Sequence, residues 1–165
     1  MAQIGTTVAF TSTEAVRAAI GIDHIDLKDQ RILDAELDTE LSLDLSSWMQ
    51  DYETKIEPLD PVTPEQLRLS QAIKAYCKWF CAYEFLNKGM AFIQQYGDGK
   101  AEQRRFSNME WESLIGSAAE RMAKFKQLAI TLDPDTPEGY DVGATYGLIS
   151  GGSPTVDPVT NEGSA

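Results

Sequence analysis

The single histidine of this chain, His24, sits in Asp23-His24-Ile25-Asp26, and its two cysteines, Cys77 and Cys81, lie four residues apart. A nucleophilic triad needs a base held against Ser or Cys. No Gly-x-Ser-x-Gly elbow accompanies His24, so the sequence predicts a surface or capping histidine. Cysteines four apart share one face of a helix, where disulfide geometry is poor. A zinc site needs a second pair of ligands; without one, Cys77 and Cys81 read as reduced core thiols. Gly97-Asp98-Gly99-Lys100 has two glycines and a lysine of a phosphate loop, but it lacks the full spacing and the Ser or Thr after the lysine. It reads as a turn. The carboxylates fall at ordinary helical spacing, and none forms the Asp-x-Asp-x-Asp-Gly loop of a calcium hand. Arg104-Arg105 reads as a solvated pair. The residue types predict no catalytic group, no metal ligand and no cofactor, and therefore not an enzyme.

Charge narrows the partners. The 165 residues carry a net charge of -12. Residues 1–60 hold 13 acids against 4 bases, residues 61–130 hold 7 against 10, and residues 131–165 hold 6 acids and no base. Phosphate binding relies on Lys and Arg clusters, so wrapping of nucleic acid is not expected. An acidic surface on one copy facing a basic one on the next is one use of the asymmetry; a solvated acidic helix is the other. No apolar run is long enough to span a bilayer, and the N-terminus lacks the order of a signal peptide. The expectation is a soluble intracellular product with no membrane association.

Helices must position whatever this chain presents. Residues 1–10 read as a loose or extended N-terminal extension. A short helix starts at Thr11, with Glu14 completing a capping box, and stops at Gly21. A second is predicted from about Asp29 to Thr54: Leu33, Leu37, Leu41, Leu45 and Trp48 form its apolar stripe, widened by Ile32, Met49 and Tyr52, and Asp34, Glu36, Asp38, Glu40 and Asp44 form an acidic face. Pro58 and Pro61 break the chain, and Thr63-Pro64-Glu65-Gln66 opens a helix predicted to reach about Tyr96. Trp79, Phe80, Tyr83 and Phe85 make it apolar nearly all round, so they are core or subunit-packing residues. A last helix, from about Phe106 to Ile130, carries a near-heptad seam of Trp111, Leu114, Ile115, Ala118, Met122, Phe125 and Ala129, with Trp111 and Phe125 assigned like Trp79.

After Leu132 the chain changes character. Residues 131–165 contain 6 of the 12 glycines and 4 of the 7 prolines. Such a segment buries too little surface to offset its own ordering entropy. It nevertheless carries Tyr140, Val142, Tyr146, Leu148, Ile149, Val156 and Val159, which suit an arm that docks in extended form on another surface. The predicted organisation is an N-terminal extension (1–10), a helical domain (11–132) and an extended C-terminal arm (133–165). The fold class is all-α, a small bundle with two or three long helices.

In layout, Thr11 to about Leu132 resembles the head-to-tail connector (adaptor, head completion) proteins of tailed bacteriophages. The resemblance rests on Thr13-Glu14-Ala15-Val16-Arg17-Ala18-Ala19-Ile20-Gly21-Ile22 followed by the acidic helix from Ile32 to Trp48, on the aromatic helix opened at Thr63-Pro64-Glu65-Gln66, and on Gly97-Asp98-Gly99-Lys100 leading through Arg104-Arg105-Phe106 into the last helix. It implies a virion structural protein made in the host cytoplasm, with about a dozen copies forming a ring below the portal. The helical domains would pack side by side and the arm would clasp the portal protein through the seven anchors above. The lower face would meet a neck (stopper) or tail-completion protein, and DNA would pass only as cargo. The competing readings are a small helical binding or regulatory module and a packaging-machine subunit, either docking a partner through the C-terminal tail.

Overall fold

In a computed structural model, residues 2–5, 8–22, 27–93 and 108–135 are described. The N-terminal stretch pairs with itself: β1 (Gln3–Ile4) runs antiparallel to β2 (Thr11–Ser12), with Gln3 opposite Ser12 and Ile4 opposite Thr11. The reversal passes through Gly5, whose φ of 127° and a would-be Cβ only 2.0 Å from the Val8 carbonyl oxygen exclude any other residue. Ile4 and Phe10 thereby reach the core. Because Thr11 and Ser12 belong to this ribbon, α1 (Thr13–Ile20) starts later than the sequence predicts, and Ser12 is its cap: its Oγ accepts the Ala15 N–H at 3.2 Å. Gly21 ends it in the left-handed conformation, as expected, at φ 70°.

The single helix predicted over Asp29 to Thr54 is three helices: α2 (Asp29–Leu33), α3 (Leu37–Trp48) and α4 (Tyr52–Ile56). The breaks fall at Glu36 and Asp51, both at φ 52°. Geometry explains the first break. At about 100° per residue, a continuous helix would turn Ile32 roughly 140° away from Leu37 and set Leu33 beside it. With the break, Ile32 is fully buried and Leu33 points outward, a correction to its place in the expected stripe. Leu37, Leu41, Leu45 and Trp48 keep theirs.

Thr63 caps α5 (Pro64–Ile93) as the sequence predicts: the Gln66 N–H donates to Thr63 Oγ1 at 3.2 Å, and the Thr63 N–H donates to Gln66 Oε1 at 2.9 Å. The last helix, α6 (Asn108–Leu132), packs along α5. Arg121 of α6 lies over Trp79 and Lys126 over Tyr76, so the pair is antiparallel. The protein is thus mostly helical, a bundle in which α1, α3 and α4 pack onto α5. Ile73, Tyr76, Cys77, Cys81 and Leu86 form its buried centre. Among the described residues no helix is long and apolar enough to cross a membrane.

Candidate functional site

The residue that sequence periodicity overlooks most is Lys126. On α6 it follows Ala118 and Met122 at intervals of four and precedes Ala129 and Ile130, which puts a lysine on the inner face. Its exposure is 0%, while Phe125, assigned to that seam, is only half-buried. The ammonium lies 4.8 Å from the Trp48 ring centroid and 5.9 Å from that of Tyr76. Those two rings meet edge to face at 5.2 Å. Asp44 completes the group: its Oδ2 accepts the Trp48 indole N–H at 2.8 Å and the Tyr76 hydroxyl at 2.5 Å, and its Oδ1 stands 3.9 Å from Lys126 Nζ. Burial pulls the Lys126 ammonium below its ordinary value, and Asp44 opposes that shift.

A buried lysine shifted downward is the usual raw material for a Schiff base or a general base. Here its side chain has no exposed surface on which a substrate could act. The arrangement instead joins α3, α5 and α6 through one carboxylate, two aromatic rings and one cation.

A second charged group fixes the end of α6. Lys55 donates to both oxygens of Asp133, at 2.8 and 2.9 Å, and lies 3.0 Å from Asp135. Burial works against the Lys55 charge, but hydrogen bonds to Asp133 and then Asp135 outweigh it and raise the ammonium above its ordinary value. Asp133 and Asp135, just past the end of α6, are therefore pinned to α4.

The acidic face expected on the second helix is partly used inside the fold. Besides Asp44, Glu40 receives Lys88 of α5 at 2.6 Å, and the same ammonium donates to the Ala35 carbonyl at 3.2 Å. Glu84, half-buried near Glu40, is held above the usual carboxylate range by burial first and by Glu40 second. Asp34 and Glu36 remain exposed, and Asp38 is half-buried. At the N-terminal end Arg17 pairs with Asp29, and that contact lowers the Asp29 carboxyl.

Cys77 and Cys81 are free and buried, and burial raises both thiols well above their ordinary value. That disfavours the reactive thiolate. Among the described residues no group of three or more His, Cys, Asp or Glu side chains is placed to hold a metal. Trp79, Phe80, Phe85 and Trp111 lie in the chain's own core, and Tyr83 and Phe125 pack half-buried against it. Trp79 is bracketed by Lys78 at 5.1 Å and Arg121 at 4.6 Å. His24, Gly97-Asp98-Gly99-Lys100, Arg104-Arg105 and the seven arm anchors Tyr140 to Val159 lie outside the described residues.

Comparison with protein-family models, with curated proteins and with solved structures finds no match to this chain.

Proposed function

We propose that this protein is a structural head-to-tail connector (adaptor) of a tailed phage, one subunit of a ring of about a dozen copies below the portal. In this role it joins the DNA-filled capsid to the neck or tail around the DNA exit channel. The observation that carries the reading is the Lys55–Asp133–Asp135 clamp. It fixes Asp133 and Asp135, at the start of a sequence rich in acids, glycine and proline, to one point on a helical body, which is the mechanical requirement for a docking arm.

Two further features support it. The net charge of -12 suits a wall past which DNA slides, since like charges do not hold the phosphate backbone. The buried charged groups, Asp44 with Lys126 and Lys55 with Asp133, join elements of the fold, which suits a structural role. The partners are other copies of the chain, the portal protein, and a neck or tail-completion protein reached at the opposite face.

Sedimentation of the purified protein with and without its portal tests the proposal. Formation of a ring-sized species bound to portal is the expected result. A monomer that ignores portal contradicts it, and tight binding of the free protein to nucleic acid at physiological salt favours a packaging-machine subunit instead.

A further inference from the structure

Among the described residues six large hydrophobic side chains are exposed, and three of them, Leu59, Val62 and Leu67, fall within nine residues of one another. Leu59 is 85% exposed, Leu67 51% and Val62 38%. This corner, between α4 and the first turns of α5, holds an open groove of about 410 Å³ walled by Ile56, Pro58, Val62, Pro64 and Leu67. Lys74 and Glu57 contribute its charged lining. Clustered apolar exposure at a groove marks a docking surface more often than a scatter of single residues does.

The place where the described chain ends points to the occupant. Asp135 sits 3.0 Å from Lys55 Nζ, and the next residue, Ile56, is part of the groove wall. Thirty residues follow Asp135. Tyr140 is five residues on, a span of at most about 17 Å for extended chain. In an extended stretch residues two apart face the same side, so Tyr140 and Val142 can enter one groove together. Tyrosine brings a flat apolar ring suited to proline and aliphatic walls, with a hydroxyl left for the rim. Glu138 and Asp141 flank it in a segment without bases, matching Lys74 and opposed by Glu57. A short tether also raises the local concentration of the segment to the millimolar range.

We infer that the groove between Ile56 and Leu67 is the seat of Tyr140 and Val142 of the same chain in the unassembled subunit. The inference concerns the isolated chain and does not rest on the connector reading. A partner that captures the arm would have to draw these two side chains out of the groove.

Photo-crosslinking of the full-length chain tests it. p-Benzoylphenylalanine replaces Tyr140, and the irradiated protein is digested with trypsin, which cuts after Lys55 and Arg68 and releases most of the groove as one peptide. The expected crosslink joins position 140 to peptide 56–68 within the monomer, with a yield independent of protein concentration. Leu67→Ser, and separately Val62→Ser, should lower that yield roughly fivefold, the effect of losing about 1 kcal/mol of apolar contact, while the far-ultraviolet circular dichroism stays unchanged. Crosslinks found only between chains, crosslinks spread over other peptides, or a yield indifferent to both substitutions would overturn the inference. Loss of ring formation with the crosslink intact would instead sink the connector reading alone.

Discussion

Replacing Asp44 with alanine probes the centre of the bundle. The carboxylate accepts from Trp48 at 2.8 Å and from Tyr76 at 2.5 Å and faces Lys126 Nζ at 3.9 Å. Two unit charges at that separation attract by roughly 4 kcal/mol at an effective dielectric near 20. Desolvation of an ammonium with 0% exposure offsets much of that attraction. Taking the carboxylate away is therefore not the reverse of forming the pair. It removes the acceptor shared by the Trp48 and Tyr76 donors, and a hydrogen bond lost from a buried donor costs about 1–3 kcal/mol. It also removes a carboxylate facing a buried cation, which makes the charged form of Lys126 more costly to keep. The expected cost of Asp44→Ala is about 3–5 kcal/mol. Lys126→Met keeps the stem against Trp48 and removes the charge, so its expected effect lies within about 1.5 kcal/mol of zero. In the double variant, the charge-related part of the Asp44→Ala penalty should disappear. Urea unfolding followed by circular dichroism measures all three variants, with a constant m value as the check on two-state behaviour. A cost below about 1 kcal/mol for Asp44→Ala, or equal costs for the two single variants, would refute the proposed division of roles.

Lys55→Met should cost about 3 kcal/mol, because it removes the cation that meets both oxygens of the buried Asp133 carboxylate; hydrogen exchange at the Asp133 amide, which donates to the Ala129 carbonyl, should quicken with it. The Lys55 ammonium titrates above 10.5 in the folded state, so its stabilisation is complete below pH 10.5 and is lost as pH rises through the folded value. Alkaline unfolding of the Lys55→Met variant should lack that component. Asp29 is lowered from 3.8 chiefly by its hydrogen bond from Arg17, so its contribution is present above pH 3.8 and lost as pH falls through the folded value. Acid titration of Arg17→Met should show a smaller loss over that window than the parent, and an identical titration would contradict the pairing. Trp79→Ala and Phe80→Ala should each cost about 3–5 kcal/mol in urea, since both side chains are buried between α5 and its neighbours.

Much of the fold was legible because local chemistry and packing agree where the signals are strong. Gly21 as a left-handed stop, Thr63 with Gln66 as a reciprocal cap, and the Leu37-Leu41-Leu45-Trp48 stripe all stand where the sequence placed them. The breaks at Glu36 and Asp51 were not legible, since neither site has a proline or a glycine and both residues adopt φ 52°. Tertiary packing imposes the first: Ile32 must meet the same core as Leu41, and a single straight helix would set the two about 180° apart. The pairing of Gln3–Ile4 with Thr11–Ser12 escaped notice because two-residue strands carry no alternation to read.

The central charged group was half visible. Lys126 interrupts an apolar seam at the correct spacing, which is a signal, but nothing local says whether such a lysine turns outward. Asp44 was counted with a solvated acidic face, and only the approach of α5 and α6 reveals Trp48, Tyr76 and Lys126 around it. Lys55 and Asp133 lie 78 residues apart, beyond the reach of any spacing rule.

Negative-stain imaging of the purified protein mixed with its portal tests the connector proposal most directly. The account predicts closed rings of about a dozen subunits seated on the portal, with attachment lost when Tyr140, Val142, Tyr146, Leu148 and Ile149 are replaced together by serine. Portal particles that stay bare at saturating protein, beside a chain that remains monomeric, would contradict it.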